Sequence, residues 1–300
     1  MSPDQLLRGE LQHNVPLSGY TTWRVGGPAD RVYSPADVAD LAAFLVQLPE
    51  GEPLLWLGLG SNLLVRDGGF RGTVIALHGT LAGMERLSGS QVRAEAGLTC
   101  ARLARFLVRQ QLSGGEFLGG IPGTLGGALA MNAGAFGGQT WDLVAEVTTI
   151  DGAGQLHTRT SADFHVAYRE VQSATVRNKE WFVAATLRLQ PATDDAGTER
   201  IRALLERRSR TQPIGMATAG STFRNPEGDY AARLIEVSGL KGLREGGACV
   251  SPVHANFIVN VGNATAKDIE TLIYRIQSRV EQLHGIQLAP EIHVVGESVL

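Results

Sequence analysis

Between Leu118 and Ala135 the chain reads LGGIPGTLGGALAMNAGA, apolar throughout yet broken every few residues by glycine. Regular helices and strands resist such a composition, because each interior glycine costs about 0.5–1 kcal/mol relative to alanine and offers no side chain to pack. Backbone of this kind is shaped to approach something closely. A second cluster, Gly58-Leu59-Gly60-Ser61-Asn62, lies between the apolar runs Leu54 to Leu57 and Leu63 to Val65. The 300 residues include 37 glycines, where average usage gives about 21. They sit among Ile, Leu, Met and Phe rather than Ser, Gln and Pro, so they read as loops wrapped around a ligand and not as disordered linker.

At roughly 150 residues per domain the length suggests two domains or one large one. Lys and Arg number 27 and Asp and Glu 30, a net charge of −3 with no block of one sign. That excludes an electrostatic footprint for nucleic acid or an anionic membrane, and a small-molecule partner is expected. No apolar run approaches the ~20 residues of a membrane span. The opening MSPDQLLRGELQHN lacks a signal peptide's apolar core, so a cytoplasmic protein is expected. Cys100 and Cys249, without CxxC spacing, read as reduced core thiols, and the histidines form no HExxH or close pair, so no metal is expected.

Ser34-Pro35-Ala36-Asp37 predicts a helix start with Ser34 as N-cap, continued by Val38, Leu41, Ala42 and Leu45. Leu54 to Val65 reads as strand, glycine turn, strand; Thr73 to Leu77 and Val92 to Ala96 as strands; Thr99 to Leu112 as a helix burying Leu103, Phe106 and Leu107. Val144 to Asp151, Gly154 to Thr158 and Trp181 to Leu189 read as antiparallel strands. The composition changes at Gln190. Beyond it lie a helix from Glu199 to Arg210 with Ile201, Leu204 and Leu205 buried, a loop from Gly220 to Pro226, and a short helix from Asp229 to Val237. A strand at Asn256 to Val261 precedes a helix capped by Thr265 and Asp268, with Ile269, Leu272, Ile273, Ile276, Val280 and Leu283 buried and Gly285 at its end; Glu291 to Val295 returns as a strand. The fold class is α+β.

Gly58 to Leu63 begins like a dinucleotide fingerprint, but Leu63 replaces the third glycine and a strand follows in place of a helix. No GxxxxGK[ST] or GxSxG occurs, which excludes P-loop chemistry and a hydrolase elbow. What remains is a backbone nest at Gly58 to Asn62 able to take phosphates and an apolar loop able to lie against a flat ring. Together they suit a flavin dinucleotide, whereas either loop alone is equally a tight structural turn.

Taken in order, Thr21-Thr22-Trp23-Arg24-Val25-Gly26-Gly27-Pro28-Ala29, Gly58-Leu59-Gly60-Ser61-Asn62-Leu63-Leu64, Gly120-Ile121-Pro122-Gly123-Thr124-Leu125-Gly126-Gly127, Met131-Asn132-Ala133-Gly134-Ala135, Tyr168-Arg169, Gly220-Ser221-Thr222-Phe223-Arg224-Asn225-Pro226 and Pro290-Glu291 resemble the UDP-N-acetylenolpyruvoylglucosamine reductase (MurB) family. The short spacing from Arg169 to Ser221 resembles the family's shorter form. The resemblance implies the FAD-binding fold of the vanillyl-alcohol-oxidase-like (PCMH-type) flavoproteins with a separate C-terminal α/β substrate lobe. The expected regions are an N-terminal lobe at 1–78, a second FAD-binding lobe at 79–190 and a substrate-binding domain at 191–300, whose last strand packs back towards the flavin.

It further implies non-covalent FAD held by Gly58, Leu59, Gly60, Ser61, Asn62, Gly120, Ile121, Pro122, Gly123, Thr124, Gly126, Asn132 and Gly134. NADPH is the implied hydride donor, and the reaction is reduction of an enolpyruvyl UDP-sugar to UDP-N-acetylmuramate in peptidoglycan synthesis. Arg169 would face the substrate carboxylate, Ser221 would give the proton, Glu291 would assist, and Tyr168, Arg224 and Asn225 would contact substrate. Leu59 stands where the family usually has glycine, Val171 where serine commonly follows Tyr-Arg, and Arg224 where lysine is usual. An FAD-linked oxidase and a non-catalytic flavin-binding protein are the alternatives. Neither glycine loop contains the His or Cys through which such oxidases often attach flavin. A monomer is expected.

Overall fold

Residues 7–174 and 179–299 are described in the computed structural model. They belong to two units, the first made of Met1–Gln12, Arg31–Gly58 and Thr73–Glu206, the second of His13–Asp30, Leu59–Gly72 and Arg207–Leu300.

The first unit is organised by a five-stranded antiparallel sheet in the order Leu156–Arg159, Val144–Asp151, Glu180–Arg188, Gln91–Glu95, Met84–Arg86. Its middle strand buries Val183, Ala184, Ala185 and Leu187. The helix Cys100–Arg109 lays Cys100, Leu103 and Leu107 against Val92, Ala94, Leu125, Ala185 and Leu187, forming one apolar core. Burial pushes the Cys100 thiol up to about 12, as befits a packing group.

The sequence expectation extends this helix to Leu112. It stops at Arg109 because Gln111 takes a φ of 56° and Leu112 pairs with Pro191; Phe106 is only partly buried. A second core gathers Leu41, Phe44 and Leu45 of the helix Val38–Gln47 around Tyr33, Ile75 and Val183. The N-cap of that helix is Asp37, three residues beyond the expected Ser34, since Ser34 still belongs to the strand Pro28–Ser34 and the Asp37 carboxylate accepts from the Asp40 amide. The helix Gly197–Thr211 buries Ile201 but leaves Leu205 42% exposed, against expectation.

In the second unit the helix Ala266–His284 buries Ile269, Leu272, Ile273, Ile276 and Val280 in a core shared with Leu234, Ile235, Val250 and Ile258. Leu283, expected in this stripe, is 46% exposed. Arg244–Glu245, Ala248–Val250 and Ile258–Asn260 form a small antiparallel sheet, onto which the buried Trp23 locks by donating from Nε1 to the Ile258 carbonyl at 2.8 Å.

The apolar runs flanking the first glycine cluster are not a hairpin. Leu54–Leu57 pairs in parallel with Thr73 to Ala76 in the first unit, and Leu63–Val65 pairs in parallel with His293–Val295 in the second. The last strand thus returns to the strand that follows the first glycine loop. Among the described residues no helix is long and apolar enough to cross a membrane.

Candidate active site

Glycine at 58 is dictated by its neighbour: a Cβ there would stand 2.3 Å from the Thr124 hydroxyl, so the backbone of the first glycine loop touches the second loop directly. Gly60 is demanded by packing, because its φ is +62° and a Cβ would meet the Tyr20 carbonyl at 2.2 Å. The Gly60 carbonyl accepts from the Thr22 amide at 3.2 Å, which fixes the turn while Leu59, Ser61 and Asn62 stay half-buried.

The second loop is pinned from below. The amides of Leu125 and Gly126 donate to the carbonyls of Leu98 and Ala96, both at 2.8 Å, and the Gly123 carbonyl accepts from the Cys100 amide at 2.9 Å. A Cβ at Gly126 would press on Ala96 at 2.9 Å, and one at Gly120 on the Phe136 ring at 2.5 Å. Ile121 and Thr124 are buried; Pro122 and Gly127 are exposed. Against the expectation of a loop throughout, Leu125–Ala130 form a short helix, made possible by the apolar, small side chains there, and beyond that helix's own backbone a Cβ added at Gly127 would meet only the Thr124 hydroxyl, at 3.9 Å. From Leu118 to Ala135 no side chain is charged. These features fit a flat, largely apolar ring system with a few hydrogen-bonding edges, as in FAD.

Arg169 sits at the tip of a hairpin that no sequence signal marked. Phe164–Ala167 pairs with Glu170–Ser173, with Ala167 opposite Glu170, leaving Tyr168 and Arg169 as the two loop residues. Arg169 takes a φ of 57°, a left-handed position that favours glycine and costs another residue about 1–2 kcal/mol. Its Nη2 donates to the Gly134 carbonyl at 2.9 Å, and its guanidinium lies 5.4 Å from the ring centroid of Tyr168, itself 53% exposed.

Asn132 supports this tip. Its Nδ2 donates to Gln139 Oε1 at 2.8 Å and to the Ala167 carbonyl at 3.2 Å, while its Oδ1 accepts from the Trp141 amide at 3.2 Å. Both side-chain donors of Asn132 are therefore committed to protein.

In the second unit Gly220 (φ +79°), with nothing within 4 Å of an added Cβ, turns the chain into the half-buried Ser221. The Glu291 amide donates to the Thr222 carbonyl at 2.8 Å, and the Arg224 amide to the Ala289 carbonyl at 2.9 Å. Asn62 donates from Nδ2 to the Glu291 carbonyl at 3.1 Å, so one residue of the first glycine loop also holds the backbone of Glu291. Asn225 Oδ1 accepts from the Ala231 amide at 3.1 Å, at the start of the helix Ala231–Val237.

Fold and loops together define an FAD-binding flavoprotein with a C-terminal domain of its own. Residues 29–160 match the family described as "FAD binding domain", and residues 212–295 the family described as "UDP-N-acetylenolpyruvoylglucosamine reductase, C-terminal domain". The chain is 58% identical to the UDP-N-acetylenolpyruvoylglucosamine reductase of Alkalilimnicola ehrlichii over 97% of its own length and 96% of the relative's. It is 56% identical to that of Methylococcus capsulatus, over 97% and 95%. The crystal structure of the Thermus caldophilus reductase (MurB) is similar with a TM-score of 0.81 at 33% identity, covering 96% of this chain and 99% of that one. The chain belongs to the UDP-N-acetylenolpyruvoylglucosamine reductase family, and it shares that family's fold, an FAD-binding domain with a C-terminal domain of the reductase.

Proposed function

We propose that Arg169, Ser221 and Glu291 divide between them the reduction of UDP-N-acetylglucosamine enolpyruvate to UDP-N-acetylmuramate, a step of peptidoglycan precursor synthesis. The chain is an FAD-containing, NADPH-dependent oxidoreductase of its family. Bound FAD supplies the hydride relay from NADPH to the substrate. Gly58 to Asn62 would hold its pyrophosphate, and Gly120 to Thr124 with Gly126 would hold its ring. Asn132 and Gly134 contribute through the backbone they brace.

Reduction puts a hydride on one alkene carbon and a proton on the carbon beside the carboxylate, turning C=C into C–C. Between those events negative charge spreads onto the carboxylate oxygens. Arg169 meets that charge with a planar, permanently ionised fork. Ser221 gives its hydroxyl proton to the carbon, and Glu291 polarises the developing charge and restores the serine proton. Tyr168, Arg224 and Asn225 contact the UDP-sugar. As functional regions, 1–78 and 79–190 hold FAD and 191–300 binds substrate. We take the protein to act in the cytoplasm as a monomer.

The observation that carries this reading is the left-handed backbone at Arg169, braced by Asn132 and by the Gly134 carbonyl. Strain at a charged hairpin tip persists where the surroundings over-determine it, and such positions cluster at active sites. The test is spectroscopic. Purified protein is expected to be yellow, to be bleached by NADPH, to regain colour with the enolpyruvyl UDP-sugar, and to release FAD on denaturation. A colourless protein without FAD affinity would overturn the reading.

A further inference from the structure

The segment that carries Ser221 is held by one buried side chain outside every motif that marked the site. Asn256, four per cent exposed, lies just before the strand Ile258–Asn260. Its Oδ1 accepts from the Phe223 amide at 3.0 Å, its Nδ2 donates to the Phe223 carbonyl at 2.8 Å, and its own carbonyl accepts from the Thr222 amide at 2.8 Å. A single asparagine thus does for residues 222 and 223 what a neighbouring strand would do. The other side of the same segment carries Glu291: Phe223 bridges Pro290, and the Thr222 carbonyl takes the Glu291 amide. Ser221 is covalently next to Thr222, and Glu291 hangs from it by one hydrogen bond. The peptide at Thr222 therefore links the two residues, with Asn62 holding the Glu291 carbonyl from the other side, and Asn256 braces that peptide.

We propose that Asn256 is a positioning residue for proton delivery, fixing Ser221 and Glu291 relative to one another through the backbone of Thr222 and Phe223. The proposal rests on the roles assigned to those two residues above. Asn256 touches no reacting atom. Its removal shifts the proton donor while leaving hydride transfer from NADPH intact, and misplacement of a reacting group by about 1 Å costs on the order of 10²-fold in rate.

The experiment compares wild type, Asn256→Ala and Asn256→Asp as holoenzymes, with Ser221→Ala alongside. In stopped flow Asn256→Ala is expected to be reduced by NADPH at the wild-type rate and reoxidised by the enolpyruvyl substrate ~10²-fold more slowly, with substrate binding little changed. Asn256→Asp keeps the shape and the acceptor but lacks the amide donors, and as an ionised carboxylate it faces the Phe223 carbonyl. It is expected to show the same selective loss, and it carries the comparison if the alanine variant does not fold. Hydrogen exchange, read without substrate, is expected to speed up together in peptides covering 220–225 and 289–292 and to stay unchanged in Ala266–His284. Equal slowing of both half-reactions, unaltered reoxidation, or unaltered exchange in those two segments would overturn the proposal. If Ser221→Ala itself reoxidises normally, the assignment of the proton donor has failed, and the proposal with it.

Discussion

Asp40 shows how much one residue can hold. Its buried carboxylate accepts from the Arg8 amide at 2.7 Å, the Tyr33 hydroxyl at 2.6 Å and the Ala36 amide at 3.0 Å. Burial alone pushes its pKa up, but the bonds from Arg8 and Tyr33 outweigh it and hold the group below the usual carboxylate range; burial first, and then the bond to Asp40, push the Tyr33 hydroxyl upward. A depressed folded pKa means that the stabilisation is fully present above the unfolded value, near 3.9, and is lost as pH falls through the folded one. Asp40→Ala strands a buried hydroxyl and two amides and is expected to cost about 2–4 kcal/mol at pH 7. Urea unfolding is expected to show that cost and a gap from wild type that narrows as the pH drops below about 4; a gap that widened in acid would contradict the assignment. The sequence concealed this, because helical spacing places Asp40 with the polar residues of its turn and says nothing of a partner at Tyr33. Arg169 was legible as a residue through its Tyr-Arg motif, but not its strained backbone, since no glycine or asparagine at 168 or 169 marks a turn.

At the scale of elements, legibility followed local signals. The helix Ala266–His284 was readable at both ends because its caps are local: Thr265 accepts from the Asp268 amide, Asp268 accepts from the Thr265 amide, and Gly285 ends the helix with a φ of 67°. Two further first-turn amides are satisfied from far along the chain, those of Ala266 and Lys267 donating to the carboxylate of Asp67 at 2.9 and 3.0 Å. Thr265→Ala removes one capping bond and is expected to cost about 1 kcal/mol. Asp67→Ala removes two charge-assisted bonds and a favourable charge at the helix start, and is expected to cost more, about 2 kcal/mol. Denaturation midpoints of the two variants check the order; the reverse order would mean that the local box alone holds this end. Long-range partners were the illegible part. The hairpin around Arg169 lacks turn residues. The runs flanking Gly58 to Asn62 read as strands, but their parallel partners at Thr73 and His293 leave no trace in local periodicity.

At the scale of the whole molecule, the glycine loops and the C-terminal loop were legible because their composition is extreme or their motifs are contiguous. The assembly of the second unit was not: 13–30 and 59–72 join 207–300 in one unit, a discontinuity that no linear change of composition records. Function divides along the two half-reactions, since hydride reaches the flavin without any proton donor, while the substrate carbon needs one. Ser221→Ala therefore tests the central assignment most directly. Stopped flow is expected to show flavin bleaching by NADPH at the wild-type rate and reoxidation by the enolpyruvyl UDP-sugar slowed by about 10²–10⁴, the usual cost of losing a general acid. Reoxidation at the wild-type rate, or equal loss in both half-reactions, would show that Ser221 is not the proton donor.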